Sequence, residues 1–99
     1  MTKIEKVEKL ILDALQSIND VMPSDQQITI SLDVVLFGEN PQIDSLSLVS
    51  LVVDLESELS EEFDMDILLT DDQAMTREIS PFLTVITLRD YIMELVTKN

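Results

Sequence analysis

The sequence predicts an all-α fold, a small bundle of three main helices plus one short helix, with a long loop between the first and second helices. Apolar residues recur at helical spacing in three segments, and helix-capping patterns precede three of the predicted helices. One glycine and three prolines lie between these segments. Ninety-nine residues suit one small domain, so residues 1–99 are assigned to a single domain.

The first helix has the clearest pattern. Thr2 and Glu5 form a T-x-x-E capping box, so the helix should begin at the third residue. Asn19-Asp20 and then Pro23 should end it. Its apolar face is formed by Ile4, Val7, Ile11, Ala14 and Ile18. This spacing is typical of an amphipathic helix that packs on a core.

Residues 24–43 form the long loop in this interpretation. Apolar and polar residues alternate over Ile28–Leu32, as in a strand, but no second run elsewhere could pair with it. Because a lone strand is not stable, we expect a loop that tucks its apolar residues under the helices. We expect one helical turn near Val34–Phe37, before Gly38 and Pro41 break the chain.

The second helix is predicted from about Ser45 to Glu62. It is apolar on several sides for its first three turns, so we expect it to lie centrally in the fold. One stripe is Leu46, Val49 and Val53, and another is Leu48, Val52, Leu55 and Leu59. Its far end carries Glu56, Glu58, Glu61, Glu62 and Asp64. These acids oppose the helix macrodipole, and we expect no lysine to compensate them.

Two further helices complete the prediction. Thr70 and Gln73 form a capping pattern that predicts a short helix from about Asp71 to Glu78. Thr87 should cap the last helix, with Asp90 completing the box.

The charge is strongly negative and unevenly distributed. Twenty acids face six bases, a net charge of −14, and fifteen acids but no base occur from Leu10 to Thr76. Such a field repels nucleic acid and anionic lipid and attracts basic partners, although acidity also serves solubility. The longest apolar run is too short for membrane insertion, and the N-terminus does not resemble a signal peptide. We expect a cytoplasmic monomer.

Residue types exclude most catalytic chemistry. The chain has no His and no Cys, which removes the Ser-His-Asp triad, the thiol nucleophile and the usual zinc ligands. One glycine excludes a phosphate-binding loop. The pairs Asp64/Asp66 and Asp71/Asp72 lack the calcium-loop pattern, so no metal site is assigned. An enzyme acting alone is not expected.

Ser45 therefore has two interpretations. Serine and aspartate are favoured helix N-caps, which is a purely structural role. Alternatively, a hydroxyl at a helix N-terminus is a suitable place for a phosphate ester, because free N–H groups and the positive dipole end stabilise an anion. In the second case an external enzyme would make the bond, with Asp44 helping to hold a divalent ion.

The stretch Asp44-Ser45-Leu46, continued as "VSLVVDLESEL", resembles the attachment site of acyl carrier proteins. "TVITL" followed by "RDYI" is similar to the family's approach to its last helix, and the resemblance covers essentially the whole chain. It implies a 4′-phosphopantetheine arm on Ser45, flanked by Asp44 and Leu46 and transferred from coenzyme A by a phosphopantetheinyl transferase. The arm's thiol would hold an acyl group as a thioester.

The resemblance also implies that the second helix docks basic partner enzymes that load and transfer acyl groups, and that the bundle interior shelters the acyl chain. Leu46, Val49, Glu56, Glu58 and Glu62 are the expected docking residues. Ser47, Ser50 and Ser57 stand where family members often carry acids, and "GENPQ" lengthens the approach to the serine. These departures favour a specialised carrier for fatty-acid, polyketide or related biosynthesis. An aminoacyl or peptidyl carrier with the same arm, and an unmodified acidic adaptor, are the alternatives.

Overall fold

The computed structural model describes residues 2–69 and 80–97. Within them the protein forms three helices, α1 (Lys3–Asp20), α2 (Ser45–Phe63) and α3 (Val85–Thr97), and no strand. The predicted all-helical class and its three main helices are confirmed. The short helix predicted at Asp71–Glu78 lies outside the described residues.

Helix α1 begins and ends at polar contacts made by side chains. Thr2 Oγ1 accepts a hydrogen bond from the Glu5 N–H at 3.2 Å, and the Thr2 N–H donates to Glu5 Oε1 at 3.1 Å. The predicted capping box is confirmed. At the other end, the Asn19 side chain is buried and pairs with the backbone of Ile28, donating to its carbonyl at 2.9 Å and accepting from its N–H at 2.8 Å. The long loop is thereby fixed to the end of α1.

Helix α1 lies between the other two helices and packs against both. Lys6, near its start, forms an ion pair with Glu62 near the end of α2 at 3.4 Å, so these helices run antiparallel. Glu8 forms an ion pair with Arg89 of α3 at 2.8 Å. The prediction that the second helix is central was wrong, because α2 leaves part of its apolar surface in solvent. The buried side chains of α1 and α2 that form the core between them are Val7, Ile11, Ala14, Leu15, Leu51, Val52, Leu55 and Leu59.

The loop between α1 and α2 is extended where a helical turn was predicted. The Leu36 N–H donates to the Leu83 carbonyl at 2.8 Å, and the Val85 N–H donates to the Val34 carbonyl at 3.1 Å. The prediction of a helical turn at Val34–Phe37 was wrong, because these residues pair with Leu83–Val85 instead. That partner segment is too short to show a strand pattern in the sequence. Val34 and Leu36 are buried, which confirms that the loop tucks apolar side chains under the helices.

Helix α3 begins earlier than predicted. Its cap is Thr84, because the Thr87 N–H donates to Thr84 Oγ1 at 3.2 Å and the Thr84 N–H donates to Thr87 Oγ1 at 2.9 Å. Thr87 is thus not the N-cap but the residue three positions later, whose side chain accepts a hydrogen bond from the N–H of the cap. The carboxylate of Asp90, expected to complete the box, accepts from Arg89 Nε at 3.0 Å instead.

No helix among residues 2–69 and 80–97 is long and apolar enough to cross a membrane.

Candidate functional site

The N-terminus of α2 is capped by Asp44 and not by Ser45. Asp44 has an extended backbone, and its Oδ1 accepts a hydrogen bond from the Ser47 N–H at 2.7 Å. Ser45 is the first helical residue. Its interpretation as the helix N-cap was therefore wrong, since the neighbouring aspartate takes that role.

The Ser45 hydroxyl is free for chemistry. The side chain is exposed and makes no hydrogen bond to any described residue. Asp44 accepts hydrogen bonds from two N–H groups at the start of the helix. Its side chain accepts from Ser47, and its carbonyl accepts from Leu48 at 3.0 Å. The N–H groups of Ser45 and Leu46 have no acceptor within residues 2–69 and 80–97. An anion attached to Ser45 would find two free donors and the positive end of the helix dipole.

The backbone before Ser45 is held by Gln42, a residue that sequence reasoning missed. The Gln42 N–H donates to the Val35 carbonyl at 2.8 Å, and the Val35 N–H donates to Gln42 Oε1 at 2.9 Å. Ile43 is buried in the core. These contacts fix the chain immediately before the cap, so the position of Ser45 is set by the core. They join residues seven apart in a loop, and no local sequence pattern signals them.

The carboxylate beside Ser45 stays ionised. Hydrogen bonding by Ser47, through its hydroxyl and its backbone N–H, lowers the pKa of Asp44 below its ordinary value. This arrangement gives the Ser45 hydroxyl no general base. The carboxylate of Asp44 accepts hydrogen bonds from the backbone as the N-cap, and the chain has no histidine. The site suits a serine that is modified by another enzyme.

An exposed apolar stripe follows Ser45 along α2. Its members are Leu46, Val49 and Val53, with 76%, 58% and 57% of each residue exposed. They recur at i, i+3 and i+7, so they share one face of the helix. We call these three residues the α2 stripe. It brings together two of the predicted docking residues, Leu46 and Val49.

Glu58 and Glu62 lie away from the α2 stripe, whereas Glu56, seven residues after Val49 and three after Val53, stands on the stripe's side of α2. Glu58 is exposed but nine residues from Val49, which is two and a half turns and places it on the opposite side of α2. Glu62 forms the ion pair with Lys6, so the expectation that no lysine compensates these acids was wrong at this position. Glu56 is half-buried, and its Oε2 accepts a hydrogen bond from the Leu69 N–H at 2.7 Å.

An apolar groove of about 240 Å³ runs beside α2. Its lining is apolar except for one carboxylate, and consists of Leu48, Val49, Val52, Val53, Glu56 and Phe82. Ser45, Val49, Val52 and Glu56 stand at i, i+4, i+7 and i+11, which places Ser45 on the helix face that borders the groove.

The described cations are all engaged away from Ser45. They contact neighbouring acids or a helix carbonyl, in the pairs Lys3–Val96 carbonyl, Lys6–Glu62, Lys9–Asp13, Arg89–Glu8 and Arg89–Asp90. None of these contacts reaches the start of α2, so no cation among the described residues pairs with Asp44 beside Ser45. Over the described ranges, no three carboxylates lie close enough together to hold a metal ion.

Comparisons of the chain with protein-family models, with curated proteins and with solved structures found no match.

Proposed function

We propose that this chain is an acyl carrier protein that holds an acyl group as a thioester on a 4′-phosphopantetheine arm attached to Ser45. It would deliver that group to partner enzymes of fatty-acid, polyketide or related biosynthesis. One observation carries the proposal. The Ser45 hydroxyl is exposed at the first position of α2 and is not needed as a cap, because Asp44 performs that role.

The residues around Ser45 fit the prosthetic group. Ser45 supplies the hydroxyl for the phosphodiester bond, and the free N–H groups of Ser45 and Leu46 are available to the phosphate oxygens. Asp44 keeps the helix start in place and stays ionised beside the serine. The arm would supply a thiol, which the chain itself lacks.

The α2 stripe supports a docking role next to the serine. Three exposed large aliphatic side chains lie within the two and a half turns that follow Ser45. A transferase or acyl-transferring enzyme that covers them would remove apolar surface from water, and the negative field would steer enzymes with basic surfaces. We propose that the protein acts as a cytoplasmic monomer that visits such enzymes one at a time.

The test is the intact mass of the protein before and after incubation with coenzyme A, magnesium and a broad-specificity phosphopantetheinyl transferase. The wild type should gain one phosphopantetheine, and Ser45→Ala should gain none. Ser50→Ala is the matched control, because Ser50 is another exposed serine of the same helix, and it should load fully. Ser45→Ala should change the free energy of unfolding by less than about 0.5 kcal/mol, as expected for an exposed residue that caps nothing.

An unchanged mass in wild-type protein shown to start unmodified would contradict the proposal. The acidic adaptor would then be the better explanation, because the α2 stripe and the charge would suit a binding protein that needs no arm.

A further inference from the structure

Glu56 is a carboxylate in an otherwise apolar groove. It lines the groove with Val49, Val52, Val53 and Phe82, and it is half-buried. Its Oε2 accepts the hydrogen bond from Leu69, whereas its Oε1 makes none to any described residue. A carboxylate oxygen covered by apolar groups without a donor is costly. A group that fills this groove would displace water from the Glu56 carboxylate, so a group that brings a hydrogen-bond donor is favoured over one that does not.

The distance from Ser45 to Glu56 matches the reach of the proposed arm. Eleven residues of helix correspond to roughly 16 Å along the axis. A phosphopantetheine arm of about fourteen bonds extends roughly 17 Å, at the advance per bond of an extended chain. Glu56 lines the groove, and Ser45, eleven residues earlier, stands on the same face of α2. An acyl group at the end of an arm lying along this face would arrive beside Glu56.

We propose that Glu56 is a specificity-determining residue that favours an acyl group with an amino or hydroxyl group next to its thioester carbonyl. This inference rests on the proposed carrier function. The donor would bind Glu56 Oε1, while the hydrocarbon part contacts Val52 and Phe82. An ammonium group forms a charge-assisted hydrogen bond, so it should bind more strongly than a hydroxyl. A plain alkyl group would cover the carboxylate without pairing it.

The experiment compares three cargoes that share one three-carbon skeleton. Alanyl, lactyl and propionyl groups carry an amino, a hydroxyl and no polar group on the α-carbon. Each is attached to Ser45 by the transferase from a coenzyme A analogue in which a stable amide replaces the thioester. Intact mass verifies loading, and carbon-13 NMR at neutral pH follows the signals of the Glu56 carboxyl, Val52 and Phe82.

We expect the alanyl group to move the carbon-13 signal of the Glu56 carboxyl away from its position in the propionyl form, because the ammonium group binds the carboxylate. The lactyl group should cause a smaller change in the same direction. Glu56→Gln can still accept the hydrogen bond from Leu69 but lacks the charge, so the alanyl-specific changes at Val52 and Phe82 should disappear. Glu58→Gln, at an exposed acid on the other side of α2, should retain them.

Equal signals of the Glu56 carboxyl with all three loaded groups would overturn the inference and leave Glu56 as the residue that holds the Leu69 backbone. So would alanyl-specific changes that persist in Glu56→Gln. Failure of wild-type Ser45 to load at all would instead contradict the proposed function, and the inference with it. The mass measurement separates these two failures.

Discussion

Helices α1 and α2 have nearly the same length, 18 and 19 residues, and pack against each other, but they use their apolar residues differently. α1 turns its apolar face inward, and among its large apolar residues the exposed one is Ile4, at 37%. α2 buries a comparable set and leaves the α2 stripe in water. Burial in the core explains why one face of α1 is apolar, but it does not explain why the residues of the α2 stripe are apolar. This surplus begins beside Ser45, which is where a carrier would meet its enzymes.

The two helices also differ in charge. α1 carries Lys3, Lys6 and Lys9, whereas the sequence of α2 contains no base. α1 therefore supplies the cation that pairs with Glu62 of α2. The acids of α2 nearer to Ser45 receive no such partner from the described residues. The apolar residues of α1 thus pack in the core, and its lysines form contacts within the fold. In α2, some apolar and some acidic residues remain exposed at the surface.

The largest expected effect is on the stability of the fold, and it tests the difference in burial between α1 and α2. Ile11→Ala removes a fully buried side chain of α1 and should lower the free energy of unfolding by about 2–5 kcal/mol. Val53→Ala, in the α2 stripe, should change it by less than about 0.5 kcal/mol. Urea unfolding followed by circular dichroism measures both. A loss at Val53 as large as that at Ile11 would mean that the α2 stripe is part of the core.

A smaller effect is expected on the functional side. Val49→Ser combined with Val53→Ser should lower kcat/KM of the phosphopantetheinyl transferase by roughly tenfold, the equivalent of about 1.4 kcal/mol of lost apolar contact. The stability of the fold should change little, since both side chains are exposed. The readout is the initial rate of mass gain at low carrier concentration.

Leu68→Ser is the matched control for this experiment, because Leu68 is 62% exposed but lies outside the α2 stripe. It should be modified at the wild-type rate. Equal slowing by the control and by the double variant would remove the docking role of the stripe.

The smallest expected effect concerns the cap that leaves Ser45 free. The folded-state pKa of Asp44 is lowered from an ordinary value of 3.8, so its contribution to stability is present above that pH. It is lost as the pH falls through the lower, folded-state pKa. Asp44→Asn retains a capping side chain that does not titrate.

The variant should therefore show a weaker decline of melting temperature below about pH 4 than the wild type. Thermal scans from pH 7 to pH 3 measure this decline. Asp54→Asn, at an exposed acid in the middle of α2, is the control, because it removes one charge from the helix without changing the cap. A wild-type curve superimposable on that of Asp44→Asn would show that the cap gains nothing from the charge.

Local patterns predicted most of the helices. The Thr2–Glu5 box predicted the start of α1 and Asn19-Asp20 its end, and the apolar run predicted α2 to within one residue. The start of α3 was missed because Thr84 and Thr87 are both good caps, and the choice depends on which one returns the hydrogen bond. Pairing of Val34–Phe37 with Leu83–Val85 joins segments almost fifty residues apart, which no local pattern encodes.

The candidate site was predicted in part. Ser45 was identified from the sequence, but Asp44 and Ser45 are equally favoured caps, and only the structure separates the cap from the free hydroxyl. The support from Gln42 and the pairing of Lys6 with Glu62 depend on tertiary contacts. The half-buried state of Glu56 also depends on Leu69, in a different segment. The sequence therefore located the serine but not its surroundings.

The double contact between Val35 and Gln42 has a mechanical consequence. It closes the chain into a short loop whose tip, residues 37–41, is exposed throughout. We expect these two hydrogen bonds to hold Gln42, two residues before Asp44, in place when the tip changes. The segment in front of the serine should therefore accept changes of length at its tip while the serine keeps its place on α2.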